Sequence, residues 1–378
     1  MIDEPRRTFS YSAVGFDALR GWSCDDHAAA LRAFAGTLEA LQAHSDDMVS
    51  GKDQIQLDLI VHCAAAAGLC KQGGMSAGSA RRFFEQRFQP HRVIHEHSDG
   101  LLTGYYGPVL RGSRQASPQF LVPLLRRPPD LITLVDDALR GADGDRLTHA
   151  RRCDDELVAY ASRSEIEQGA LDAFDLPLVY LEDPVEAFFL HVQGSGLIEL
   201  DDGRTIRVGY DGKNGHPYTS VGQYVIGQGE ISSSEMTLDR LKAWLRADPE
   251  RAKYALWQNA SYIFFRELGL ESATQPLGVW DIPLTPLRSL AVDNGCHALG
   301  LPIFVDAPEL IVEGDEERGS GFAQLMVAQD VGSAIRGAER GDIYFGEGDV
   351  AGLKAGQTKH RGNFFALLPK SKWQDSEA

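Results

Sequence analysis

The chain has 378 residues, 43% of them hydrophobic and 24% charged, with a formal net charge of −17. This is the composition of a globular protein with a real core, and the length predicts two domains. The negative field argues against nucleic acid and anionic membrane surfaces as general partners. The excess lies entirely in residues 1–320, because the segment from Gly321 to Ala378 carries seven basic and seven acidic residues. Five cysteines (Cys24, Cys63, Cys70, Cys153 and Cys296) form no CxxC pair. Buried free thiols are therefore expected rather than a zinc site or a disulfide framework. No run of 18 apolar residues predicts a membrane span. The opening MIDEPRRTFS lacks the apolar stretch of a signal peptide, so no signal segment is read in this chain.

The first hundred residues read as helical. In DDHAAALRAFAGTLEALQ, Leu31, Phe34, Leu38 and Leu41 recur at helical spacing. QIQLDLIVHCAAAAGL is a second predicted helix, and Ser76 is the predicted cap of a third, SAGSARRFFEQRF. After Leu101 the texture changes to short β-like runs between Gly, Pro and Asp clusters: LLTGYYGPVL, QFLVPLL, FFLHVQGSGLIEL and RTIRVGY. ELDDGRTIRV reads as a hairpin turning at Asp-Gly. Thr237 is the predicted cap of TLDRLKAWLRA, and Asp248-Pro249 opens a further helix. From Pro283 onward short strands return as RSLAVD, PIFVDA, FAQLMVAQ, GDIYFG and NFFALLP, spaced as in a closed barrel. The tail SKWQDSEA is expected to fray.

Several chemistries are not indicated. No GxGxxG opens a helix, and GQGE and GEGD are too short for phosphate loops and read as turns. HVQGSG lacks the GxSxG elbow, since Gln193 precedes Gly194. The eleven histidines contain no HExxH, so no catalytic metal and no cofactor are expected. YDGKNGHPYTSVG concentrates Lys213, Asn214, His216, Tyr218, Thr219 and Ser220. It reads equally as a solvated turn or as a sugar-binding loop. The Tyr105–Tyr106 pair fits a carbohydrate surface or ordinary strand packing.

Asp330 and Asp342 lie at strand ends among four glycines in AQDVGSAIRGAERGDIYFG. Glycoside cleavage normally uses two carboxylates. A turn-forming Asp330 and a strand-starting Asp342 would look the same, and the residues alone leave both readings open.

These segments resemble the membrane-bound lytic murein transglycosylase A family. LLTGYYGP matches the family's GYYxP signature. AFFLHVQGSG, GYDGKNGHPYTSVG, NASYIFF and LMVAQDVGSAIRGAERGDIYFGEGDVAGLKAG follow in the family's order. The resemblance implies a mainly β fold with α: a double-psi β-barrel domain from residues 1–107 and 274–378, and a smaller β-rich domain inserted at 108–273, with a groove between them. It implies cleavage of the β-1,4 bond between N-acetylmuramic acid and N-acetylglucosamine, leaving a 1,6-anhydromuramoyl end. The family's catalytic aspartate falls on Asp342, with Asp330 as its support. A like charge from Asp330 and the apolar Ile343, Tyr344 and Phe345 are expected to raise the pKa of Asp342. Arg336 or Lys354 would oppose them if either points inward.

Substrate-binding candidates are Tyr105, Tyr106, Gln193, Lys213, Asn214, His216, Tyr218, Ser220 and Tyr344. The expected partners are peptidoglycan strands and other cell-wall enzymes, for a monomer in the periplasm or at the outer membrane. The chain departs from the family at Gly107, where Glu is common, and at His191. Two alternatives remain: an inverting hydrolase using both aspartates, and a non-catalytic wall-binding barrel.

Overall fold

The computed structural model describes residues 9–45, 53–71, 76–95, 100–134, 148–154, 156–269, 276–312, 321–332 and 334–370. They form two compact units. The first is Met1–Tyr105, Leu277–Gly346 and Thr358–Ala378; the second is Tyr106–Pro276 and Glu347–Gln357. Residues 347–357, read from sequence with the C-terminal part of the barrel domain, thus belong to the second unit. The tail SKWQDSEA lies outside the described residues.

In the first unit, nine strands form one sheet in the order Phe9–Ala13, Phe88–His95, Asn363–Pro369, Pro302–Ala307, Phe322–Val331, Ser289–Val292, Arg340–Glu347, Leu101–Gly107 and Lys359–His360. The fold is thus β-rich, with helices from the N-terminal segment packed on the sheet. Helix His27–Ala35 starts where the Asp26 carboxylate accepts the Ala29 amide at 3.0 Å. Gly36 interrupts it, and Leu38–Ala43 follows as a separate helix. Ser76 and Ser79 form a reciprocal capping box at Ala77–Arg87.

Phe34, Phe84, Phe88, Phe304, Phe322 and Phe364 are fully buried, each contributing roughly 1.5–3 kcal/mol of burial. Asp25 and Arg288 form a buried, two-pronged ion pair at 2.8 and 3.0 Å. Asp25 also accepts the Leu325 amide, which ties the N-terminal segment to the sheet.

The second unit holds a six-stranded sheet, with strand Thr205–Lys213 between Ile263–Glu267 and Ser195–Leu200. A three-stranded sheet, Ile132–Thr133, His149–Cys153 and Glu156–Ala159, accompanies it. Ser195–Leu200 and Thr205–Lys213 pair antiparallel, and Gly203 takes the left-handed conformation (φ 86°) that the Asp-Gly turn needs. Thr237 and Asp248 cap Leu238–Ala247 and Pro249–Leu256 as their side chains predict.

Two sequence expectations fail here. FFLHVQ, read as strand, is the body of helix Pro184–Gln193. Asp183 caps it, Pro184 sits at its first position, and Gly194 ends it at φ 82°. GEGD, read as a turn, opens helix Gly348–Gln357.

The cysteines are unpaired, but Cys63 alone is buried. Cys24 and Cys153 are exposed, so the expectation of buried thiols holds for one of the five.

Candidate active site

The two aspartates converge because of strand pairing in the first unit. Ser289–Val292 lies between Phe322–Val331, parallel to it, and Arg340–Glu347, antiparallel to it. Ala291 is opposite Asp330 on one side and Asp342 on the other. The acids therefore share a face of the sheet, two strand spacings or about 10 Å apart at Cα.

This register depends on a bulge. Leu290 pairs with Ala328, but Ala291 pairs with Asp330, so Gln329 is the extra residue. Without it, Asp330 would turn to the other face. The Gln329 side chain clamps the bulge: its amide donates to Ala33 O at 2.8 Å and Thr37 Oγ1 at 2.9 Å, and it accepts from Ser289 Oγ at 2.5 Å.

Asp330 accepts backbone amides from Val279 at 3.1 Å and Val331 at 2.9 Å. The donor segment is tightly built. A Cβ on Gly278 would lie 2.4 Å from Gln329 O, and Trp280 and Asp281 both have φ near +57° (58° and 56°). Consecutive non-glycine residues in this region store strain of the kind held at functional sites. The Trp280 ring stacks on His44 at 4.4 Å. Burial pushes the Asp330 carboxyl up to about 6, against these hydrogen bonds and with a smaller push from the charge of Asp342.

Asp342 accepts a hydrogen bond from Thr103 Oγ1 at 2.5 Å. Thr103 in turn accepts from Arg340 Nη2 at 2.8 Å. Burial raises the Asp342 carboxyl above its ordinary value, while Thr103 and then Arg340 hold it down. Two expectations are corrected here. Burial, rather than a like charge, is the chief cause of the raised pKa. The opposing cation is Arg340; Arg336 instead approaches Asp293 at 3.9 Å, and Lys354 belongs to the second unit. Both aspartates are half-buried as residues. Sequence reasoning missed Thr103 and Arg340.

Of the other predicted residues in the first unit, Tyr105 packs on Tyr344 at 5.2 Å between ring centres. Burial and the neighbouring charges of Asp330 and Asp342 push its phenol up. Tyr344 is 1% exposed, so its ring supports Tyr105 from below instead of meeting a ligand directly.

The remaining candidates lie in the second unit. The Tyr106 amide donates to Gln193 Oε1 at 3.1 Å. Tyr106 is buried, with its hydroxyl 3.5 Å from Lys242 Nζ. Asn214 is fully buried and structural. Its amide donates to Ala161 O and Ala260 O, both at 2.8 Å, and its oxygen accepts the Tyr262 amide. His216 Nε2 donates to Tyr160 O, and Ser220 caps helix Val221–Gly227. Lys213 is buried, while Tyr218 is open to solvent. The polar density of this loop is thus spent largely on the fold.

Gly107 leaves room that Glu347 fills: a Cβ there would lie 3.1 Å from Glu347 Oε1. Arg207, itself buried, holds Glu347 with two hydrogen bonds at 2.5 and 3.1 Å. A cavity of about 1630 Å³ also lies in this unit, walled by Leu125, Arg163, Phe174, Phe188 and His191. Its buried Arg163 is already paired with Glu167 at 3.0 Å.

The sequence matches two domain models, the MltA specific insert domain over residues 101–266 and the 3D domain over 288–368. Membrane-bound lytic murein transglycosylase A of Vibrio cholerae is 32% identical over 270 residues. That alignment spans 71% of this chain and 65% of the Vibrio protein. The crystal structure of membrane-bound lytic murein transglycosylase from Agrobacterium tumefaciens superposes with a TM-score of 0.81. It is 32% identical, covering 95% of this chain and 98% of that one. The chain belongs to the membrane-bound lytic murein transglycosylase A family. Another member, Escherichia coli MltA, has been solved with bound chitohexaose. It is 26% identical, with a TM-score of 0.63 and coverage of 96% and 95%. The 3D-domain match contains both Asp330 and Asp342.

Proposed function

We propose that this protein is a peptidoglycan lytic transglycosylase in which Asp342 is the single acid/base. The observation that carries the reading is the Asp342 carboxyl: it is raised by burial, in a half-buried residue on a sheet face shared with Asp330.

The reaction needs two proton transfers, both through Asp342. Asp342 protonates the oxygen linking C1 of N-acetylmuramic acid to the next sugar, and the C1–O bond breaks. The C6 hydroxyl oxygen of the same muramic residue then bonds to C1, and its proton returns to Asp342. No water is consumed and no enzyme nucleophile is required. A raised pKa suits the first half, because more of the acid is protonated near neutral pH. Asp330 is the support, a second buried carboxyl that keeps negative potential on this face. Tyr105, Gln193 and Tyr218 are the strongest candidates for sugar contact, with Tyr344 acting behind Tyr105. The β-1,4-linked oligosaccharide bound by the Escherichia coli relative supports glycan strands as the ligand. The relatives' membrane-bound character favours a periplasmic, envelope-associated site of action. Among the described residues no helix is long and apolar enough to cross a membrane.

Asp342→Asn tests the assignment. It should abolish release of anhydromuropeptides from murein while leaving the melting temperature within a few degrees. Retained cleavage would move the acid elsewhere. One observation favours a second reading: the two-strand separation of the aspartates admits an inverting pair, whose carboxyls stand about 6.5–9.5 Å apart with room for water.

A further inference from the structure

We propose that Arg340, acting through Thr103, fixes which oxygen of Asp342 carries the reacting proton. The inference rests on Asp342 being the acid/base. It concerns two positioning residues that need not touch the glycan.

The argument is a count of protons. A guanidinium donates and never accepts. Arg340 Nη2 donates to Thr103 Oγ1 at 2.8 Å, so that contact occupies a lone pair of the threonine. The hydroxyl has one proton, and its other partner is Asp342 Oδ1 at 2.5 Å. The threonine proton must therefore point at Oδ1. The carbonyl oxygen of a carboxylic acid is a far better acceptor than its hydroxyl oxygen, so with Oδ1 accepting from Thr103 the acid's own proton sits on Oδ2. Oδ2 both gives the proton to the leaving oxygen and takes one from the C6 hydroxyl, while Oδ1 stays bonded to Thr103 throughout.

The strands hold this chain of bonds rigidly. Arg340 and Asp342 are two residues apart on one strand and share a face. Thr103 sits on the Leu101–Gly107 strand beside them. Arg340 Nη1 donates to Gly341 O at 2.5 Å, which fixes the guanidinium fork. A Cβ on Gly341 would lie 2.7 Å from Phe364 Cζ and 3.0 Å from Leu290 Cδ1. Packing thus leaves this stretch of strand little freedom to rotate. Among the described residues, the titratable groups around Asp342 are Arg340 and Tyr344 on its own strand, Tyr105 on the neighbouring one, and Asp330 two strands away. Thr103 and Arg340 both favour the ionised form of Asp342, in opposition to burial.

The test is the pH profile of anhydromuropeptide release by Thr103→Val, Thr103→Ser, Arg340→Met and the Thr103→Val/Arg340→Met double variant, with Asp342→Asn alongside. Thr103→Val should lower the rate about 10- to 100-fold, the size of one hydrogen bond to a charged group. It should also move the alkaline limb to higher pH, because the acid then holds its proton longer. Thr103→Ser restores the hydroxyl and should recover both rate and limb. Arg340→Met should shift the limb in the same direction and add little on top of Thr103→Val. Slower variants whose limb does not move, or additive losses in the double variant, would overturn the relay while Asp342→Asn stays inactive. An active Asp342→Asn would instead overturn the acid/base assignment itself.

Discussion

Replacing Asp330 by Asn should stabilise the protein at neutral pH and change little in acid. In the folded protein the Asp330 carboxyl titrates at about 6, against an ordinary value of 3.8. Because the folded value is the higher one, the folded state binds the proton more tightly than the unfolded chain. The cost of burying the charge is therefore absent below the ordinary value. It grows as pH rises toward about 6 and is complete above that. At about 1.4 kcal/mol per pH unit, the gap is worth about 3 kcal/mol as an upper bound. Asn retains an oxygen for the Val279 and Val331 amides, but it places an NH₂ where the second carboxylate oxygen stood. That substitution costs about 1 kcal/mol if the new donor finds no acceptor, leaving a net gain of about 1–2 kcal/mol. For a unit of roughly this size the gain is a rise in Tm of about 2–6 °C. Thermal melts of both proteins at about pH 7.5 and about pH 4 would show it as a difference confined to the higher pH. A variant that melts lower at neutral pH, or one whose shift is equal at both pH values, would refute the account of Asp330 as a carboxyl raised by burial.

Three further outcomes follow from the same packing. Gln329→Ala removes the clamp on the bulge and strips the buried Ser289 hydroxyl of its acceptor; it should cost about 2–3 kcal/mol in denaturant unfolding and lower activity together. Asp25→Ala strands a buried Arg288 and should cost about 3–5 kcal/mol, measured the same way, whereas a joint Asp25→Ala/Arg288→Met change should recover part of the loss. Gly341→Ala pushes a methyl group into Phe364 and Leu290 and should cost about 1–3 kcal/mol, with a slower reaction because Asp342 is the next residue.

Three helix starts were legible from the capping side chain that precedes them. Ser76, Thr237 and Asp248 cap as read. The misread FFLHVQ contains mostly residues that suit a buried strand equally well, and its real signals lay outside it, at Asp183-Pro184 and Gly194. Gly348–Gln357 was hidden by glycines that usually mark turns. Asp342 and Asp330 could be singled out because two acids among glycines near strand ends are unusual. Their shared face could not, since it depends on a one-residue bulge at Gln329 and on a third strand contributing Ala291. Thr103 and Arg340 carried no local signal: they are 237 residues apart in sequence and meet only through strand pairing. The YDGKNGHPYTSVG loop, which read equally as a turn or as a sugar-binding loop, is the converse case. Its density of polar side chains suggested ligand binding, yet Asn214, His216 and Ser220 mostly satisfy backbone groups of the fold.

The central claim is that the glycan is cleaved by its own C6 hydroxyl, with Asp342 moving the proton. Digestion of purified murein in water enriched in oxygen-18, followed by mass spectrometry of the released fragments, tests it most directly. The account predicts muramic ends lighter by one water than reducing ends and carrying no heavy oxygen. Reducing ends labelled with oxygen-18 would contradict it and assign the two aspartates to a hydrolytic pair.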